Sequence, residues 1–223
     1  EPLMISKKGT IIVSKNKKDG IIKAYNDGFD IVILDDGFQN SRIKKDLSFV
    51  VVDSQILFGN ELIFPLGPLR EPVQSGLSRA DAIVLIDYNP SVINSKINKL
   101  KRDYKVQFLD GLINEKKVSK YSSNKKVLAF SGIAFPEKFH NSLKRLKYTI
   151  VKTKVFPDHY PFTSKDILKL KKTAESKNLR LITTEKDMVR IPKIFHEFID
   201  QIQIEFKFKN PDKIKELIRK KLS

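Results

Sequence analysis

Short runs of apolar, largely β-branched residues alternate along the chain with stretches whose apolar positions recur at helical spacing, the pattern of an α/β protein with mainly parallel strands. The runs predict strands over residues 10–14, 31–34, 49–53, 82–86, 106–109, 127–130, 149–155, 181–183 and 203–206. Several end in Asp, Ser or Thr, and ligands of open parallel sheets gather beyond the carboxyl ends of strands. Val92, Ile93, Ile97 and Leu100 predict a helix over residues 91–103. A second, over residues 136–146, opens with Pro136 in its first turn, and a third, over residues 164–176, follows a Thr163/Ser164 cap ahead of Ile167, Leu168 and Leu170. Residues 212–222 predict a basic helix with Ile214, Leu217 and Ile218 as its apolar stripe.

Composition narrows the class. With 40% hydrophobic and 31% charged residues in 223, the chain reads as globular, not as disordered or fibrous. Forty-three Lys and Arg against 26 Asp and Glu give a net charge of +17 and favour acidic partners, although abundant Lys and Ile are also what an AT-rich genome imposes. The absence of Cys excludes disulfides, thiolate metal sites and cysteine nucleophiles, and three histidines are too few for a histidine-rich metal cage. The longest apolar runs are far short of the roughly twenty residues that span a bilayer. A nucleic-acid-binding module would draw on the charge and the 15 Phe, but the sequence has no RNP-like aromatic pair, no finger spacing and no dense basic cluster.

Four segments carry candidate chemistry. A buried apolar strand over residues 31–34 is expected to deliver Asp35 and Asp36 into a turn at Gly37, as a Walker B element does, where carboxylate oxygen serves a hard cation beside phosphates. The same residues also read as a strand followed by an Asp-Gly turn with no function. The companion loop, Gly-x-x-x-x-Gly-Lys-Ser/Thr, is absent from the 223 residues. In Gly67-Pro68-Leu69-Arg70-Glu71-Pro72 two prolines stiffen an Arg-Glu pair, Arg being suited to phosphate and Glu to a metal or a proton. The Gly- and Pro-rich stretch over residues 59–76 predicts a crossing between two lobes, with a boundary near residues 60–66. Phe156-Pro157-Asp158-His159-Tyr160-Pro161 positions His159 in a semi-buried setting where imidazole can act as a base or tune a carboxylate, or simply pack. Thr183-Thr184-Glu185-Lys186-Asp187 closes a strand and opens a helix, and reads as an N-cap or as an anion site.

Taken in order, Glu1-Pro2-Leu3, Asp35-Asp36-Gly37-Phe38-Gln39, Val51-Val52-Asp53, Gly67 to Pro72, Phe130-Ser131-Gly132-Ile133-Ala134, Phe156 to Tyr160 and Thr183 to Asp187 resemble the tetraacyldisaccharide 4'-kinase family, the lipid A 4'-kinases. The resemblance implies a P-loop-kinase-like α/β fold of two lobes, mainly parallel sheets flanked by helices and joined by a Gly/Pro-rich hinge. The lobes expected are residues 1–62 and 63–210, with a C-terminal basic helix over 211–223 packing back on the first. It also implies ATP and Mg2+ as cofactors and transfer of phosphate to the 4'-hydroxyl of an anionic glycolipid, a tetraacyldisaccharide 1-phosphate. The location implied is the cytoplasmic face of the bacterial inner membrane, in peripheral contact with anionic lipid and with no specific nucleic-acid partner. By the same resemblance Asp35, Asp36 and His159 are catalytic, Gln39, Arg70 and Glu1 bind substrate or nucleotide, and Asp36 and Glu71 hold the metal. The family's base is an Asp directly before the Glu-Pro pair, one residue upstream of Glu1, and its glycine-rich loop and amino-terminal membrane helix are likewise not among these residues. The chain is therefore expected to be the carboxyl-terminal two thirds of a kinase, incompetent by itself. Asn40 stands where the family has His after its Gln.

Overall fold

The computed structural model describes residues 2–6, 8–87, 95–118 and 126–222. Contacts divide them into two compact units, one of residues 1–11 and 114–205, the other of residues 12–113 and 206–223. The Gly- and Pro-rich stretch over residues 59–76 lies inside the latter unit.

In the unit of residues 12–113 and 206–223, β1 (Phe49–Asp53) pairs in parallel with β2 (Ala82–Ile86), and β2 with the start of β3 (Gln107–Val118). Strand β2 is an unbroken apolar run because both of its faces are covered, the usual condition of a parallel strand. Ile83 and Leu85 pack with Leu77 of α3 (Val73–Leu77) and with Ile97 and Leu100 of α4 (Ser95–Asp103). Ala82 and Val84 face the other way, against Phe49, Phe208 of β7 (Ile199–Phe208), and Ile214 and Leu217 of α8 (Pro211–Leu222). The C-terminal helix thus docks its apolar stripe on this unit, and Lys221 pairs with Asp81 at 2.7 Å. Residues 91–94 of the helix predicted over residues 91–103 lie outside the described residues.

In the other unit the strand order is β7, β6 (Arg180–Thr184), β4 (Lys126–Ser131), β5 (Thr149–Val155), all parallel. Val127 and Ala129 of β4 pack on Phe139 and Leu143 of α5 (Pro136–Arg145), while Leu128 and Phe130 pack on Ile167, Leu170 and Ala174 of α6 (Ser164–Glu175). Each of the Val, Leu, Ile and Phe side chains among them contributes about 1.5–3 kcal/mol by burial. Helix α6 starts at a full capping box, Thr163 accepting from the Asp166 amide and Asp166 accepting from the Thr163 amide.

Two predicted strands do not form. Residues 10–14 and 31–34 carry no strand, and the second run is exposed, Ile33 at 90%. A β-strand exists only through a hydrogen-bonded neighbour, and neither run is paired among the described residues. The apolar pattern gives the run's preference, but among the described residues Ile31, Val32 and Ile33 stay exposed. Three helices among the described residues escape the pattern: α1 (Pro2–Ile5), α2 (Lys17–Asn26) and the short α3. Helix α2 buries only Ala24 and carries Gly20 in its interior, so it has little periodic signal, and its cap, the Asn16 side chain accepting from the Lys18 amide, is its clearest mark.

Candidate functional site

The Asp-Gly turn is built by close approach. A Cβ on Gly37 would sit 2.7 Å from the Cβ of Leu34, so only glycine lets the chain fold back there. Just before it Asp36 has φ of 49°, a left-handed conformation that Asp tolerates better than most residues. The Asp35 carbonyl accepts from Lys17 Nζ at 2.6 Å. The expected buried strand is replaced by an exposed segment, yet the turn still brings Asp36 to the second motif. Arg70 Nη1 donates to Asp36 Oδ1 at 2.6 Å, and this bond, with the charge of Asp36, raises the guanidinium's pKa above its ordinary value.

Glu71 faces a different set. Its Oε1 accepts from Gln39 Nε2 at 3.1 Å and from Arg79 Nη2 at 2.8 Å. The Arg79 guanidinium also lies 5.1 Å from the centre of the Phe38 ring and donates to the Ser75 carbonyl at 2.8 Å. Phe38, Gln39, Arg70, Glu71 and Arg79 line one cleft together with Lys45. Arg79 is a member that sequence reasoning missed, since an Arg before an apolar strand carries no motif. Asn40 is turned away to its own turn, its Oδ1 accepting from the Arg42 amide at 3.1 Å.

His159 belongs to the other unit, and its surroundings correct the expected semi-buried setting. Its side chain is 67% exposed, because Phe156, Tyr160 and Phe162 stack on one another beneath the loop and leave the imidazole outside. The residue has φ of 58°, and its amide donates to the Gly132 carbonyl at 3.1 Å. Asp187 is wholly buried, accepts from Thr184 Oγ1 at 2.7 Å and pairs with Arg190 Nη2 at 2.8 Å. Burial pushes its carboxyl pKa up, against the bonds from Thr184 and the Gly132 amide and the charge of Arg190. Thr184 is the N-cap of α7 (Glu185–Met188), accepting from the Asp187 amide. Glu1 lies outside the described residues.

Comparison with known proteins places this geometry in context. The family described as Tetraacyldisaccharide-1-P 4'-kinase matches residues 1–223. A tetraacyldisaccharide 4'-kinase of Paramagnetospirillum magneticum is 41% identical over 86% of this chain and 58% of its own length. One of Rickettsia felis is 38% identical over 99% of this chain and 66% of its own. The chain therefore spans roughly 58% to 66% of the length of these relatives. A crystal structure described as the "apo" form of LpxK from Aquifex aeolicus in complex with ATP superposes with a TM-score of 0.64 at 23% identity, over 93% of this chain and 62% of that one. That likeness fixes the fold as the α/β fold of that protein.

Proposed function

The chain belongs to the tetraacyldisaccharide-1-P 4'-kinase family, and from that premise we propose that it serves the transfer of the γ-phosphoryl group of ATP to the 4'-hydroxyl of a tetraacyldisaccharide 1-phosphate in lipid A biosynthesis. The observation that carries the reading is the convergence of Asp36 and Arg70 at 2.6 Å from segments 34 residues apart, with Gln39 and Glu71 bonded beside them. Phosphoryl transfer depends on placement and charge neutralisation, and a guanidinium beside a carboxylate at a turn suits both needs.

Asp36 and Glu71 are the carboxylates that would hold a hard divalent cation by their oxygens, in place of the Arg70 and Arg79 guanidiniums that pair with them in this structure. Mg2+ bound there would supply neutralisation of the charge on the phosphate oxygens. Arg70 then has a second partner in the phosphates, and Gln39, anchored on Glu71, donates toward phosphate or sugar. Asp35, through its backbone bond to Lys17, fixes the start of the turn. His159 handles the proton of the acceptor hydroxyl by tuning a carboxylate base. No phosphate-cradling Gly-x-x-x-x-Gly-Lys-Ser/Thr occurs among the 223 residues.

Among the described residues no helix is long and apolar enough to cross a membrane. The proposed location is the cytoplasmic face of the bacterial inner membrane, held peripherally by the basic surface at about 1 kcal/mol per Lys or Arg near anionic lipid. Incubating the complete protein with γ-labelled ATP and a tetraacyldisaccharide 1-phosphate tests the activity. Label at the 4' position is expected; label only at another position, or none, defeats the reading.

A further inference from the structure

Three motifs of the unit of residues 1–11 and 114–205 have no part in the function above: Ser131-Gly132, the backbone of Pro157 to Tyr160, and Asp187 with Arg190. They meet at Gly132. Both oxygens of Asp187 accept from the Gly132 amide at 3.2 Å. The Gly132 carbonyl accepts twice, from Arg190 Nη2 at 3.1 Å and from the amide of His159 at 3.1 Å. Arg190 Nη1 also reaches the Tyr160 carbonyl at 3.4 Å, on the far side of His159. Every polar group of the Gly132 peptide is thus committed, and His159 is flanked by two carbonyls that the same guanidinium holds.

This arrangement is costly. A fully buried carboxylate requires partners for its lone pairs, and breaking a buried pair by removing one member is strongly destabilising. The geometry also leaves no slack: a Cβ on Gly132 would lie 3.1 Å from the Pro157 carbonyl oxygen, 3.2 Å from the Tyr160 Cβ and 3.4 Å from Asp187 Oδ1. Yet the residue that it holds is an exposed histidine in a left-handed conformation. Burying an ion pair to fix a surface loop makes sense where the direction of that loop's side chain matters.

We propose that Asp187 and Arg190 are positioning residues that, through Gly132, hold the His159 loop in the orientation phosphoryl transfer requires. The inference rests on the role given to His159 above. Neither residue touches substrate, and both act through the backbone of the loop. The capping of α7 by Thr184 is part of the same device, because Thr184 Oγ1 both accepts from the Asp187 amide and donates to its carboxylate.

The test is steady-state kinetics of the complete protein carrying Asp187→Asn, Arg190→Lys or Gly132→Ala, alone and combined with His159→Ala. Each single variant is expected to lower kcat by about ten- to a hundredfold, the cost of a small misplacement, with the KM for ATP within about twofold. In the His159→Ala background the same changes are expected to add less than about twofold, because their effect passes through His159. Gln203→Ala, which removes a bond to Glu185 on the same short helix, is expected to leave kcat unchanged. Equal losses from Asp187→Asn with and without His159 overturn the inference while leaving the function intact. Full kcat in His159→Ala removes instead the role of His159 on which the inference stands. Should Asp187→Asn not fold, Arg190→Lys and Gly132→Ala decide, and normal kcat in both overturns the proposal.

Discussion

Arg70 and Asp36 meet at 2.6 Å although their side chains are 62% and 63% exposed. Such a pair adds little to folding, being solvated and screened by salt. Its carboxylate nonetheless sits on a residue at φ of 49°, where a left-handed backbone costs most non-glycine residues about 1–2 kcal/mol and Asp somewhat less. Strain of this kind at an exposed charged turn is consistent with selection for chemistry over stability. Arg70→Met is therefore expected to leave the urea unfolding midpoint unchanged, and Asp36→Gly to raise stability by about 1 kcal/mol by relieving the backbone. Denaturation curves of the two variants check both.

Gly37 behaves oppositely. Because a Cβ there would press on the Leu34 Cβ, a backbone-anchored atom that cannot swing away, Gly37→Ala is expected to cost about 1–3 kcal/mol. Urea unfolding measures the loss.

The cap of α6 gives a smaller and cleaner effect. Thr163→Ala removes the acceptor for the Asp166 amide and the donor at 2.6 Å to the Asp166 carboxylate, and is expected to cost about 1 kcal/mol. Thr163→Asn, which keeps an acceptor at the cap, should lose less, and thermal melting compares the two.

Glu115 sets a pH dependence. Burial raises its pKa, but the bonds from Arg145 and Ser142 and the Arg145 charge outweigh it, leaving the carboxyl below its usual 4.5. A depressed folded pKa means that the stabilisation is complete above the unfolded value and is lost as pH falls through the folded one. The stability difference between the parent and Arg145→Met is expected to be constant near neutral pH and to shrink below about pH 4.5. Unfolding free energies measured from pH 7 down to pH 3 follow it.

Much of this architecture was legible in the chain because burial leaves a periodic trace. Strand β4 announced itself as an apolar run since helices cover both of its faces, and α5 and α6 by Phe139, Leu143, Ile167 and Leu170 at helical spacing. The run over residues 31–34 misled for the complementary reason: pattern records what a segment prefers to bury, whereas a strand also needs a neighbour. The aromatic flanks of His159 predict a semi-buried ring, but those rings pack on each other and not on the imidazole. Arg79 and Arg190 left no sequence signal, because their roles lie in contacts with Glu71 and Gly132 that spacing does not encode.

The turn at Asp36, braced by Arg70, is the proposed place of phosphoryl transfer. Its most direct test is the turnover number of the complete protein with Asp36→Asn, which keeps the shape of the turn and removes its charge. A fall of about 10²–10³-fold or more, the scale of losing one preorganised electrostatic contact, is predicted. Turnover within about twofold of the parent enzyme, with the protein folded, would contradict the claim.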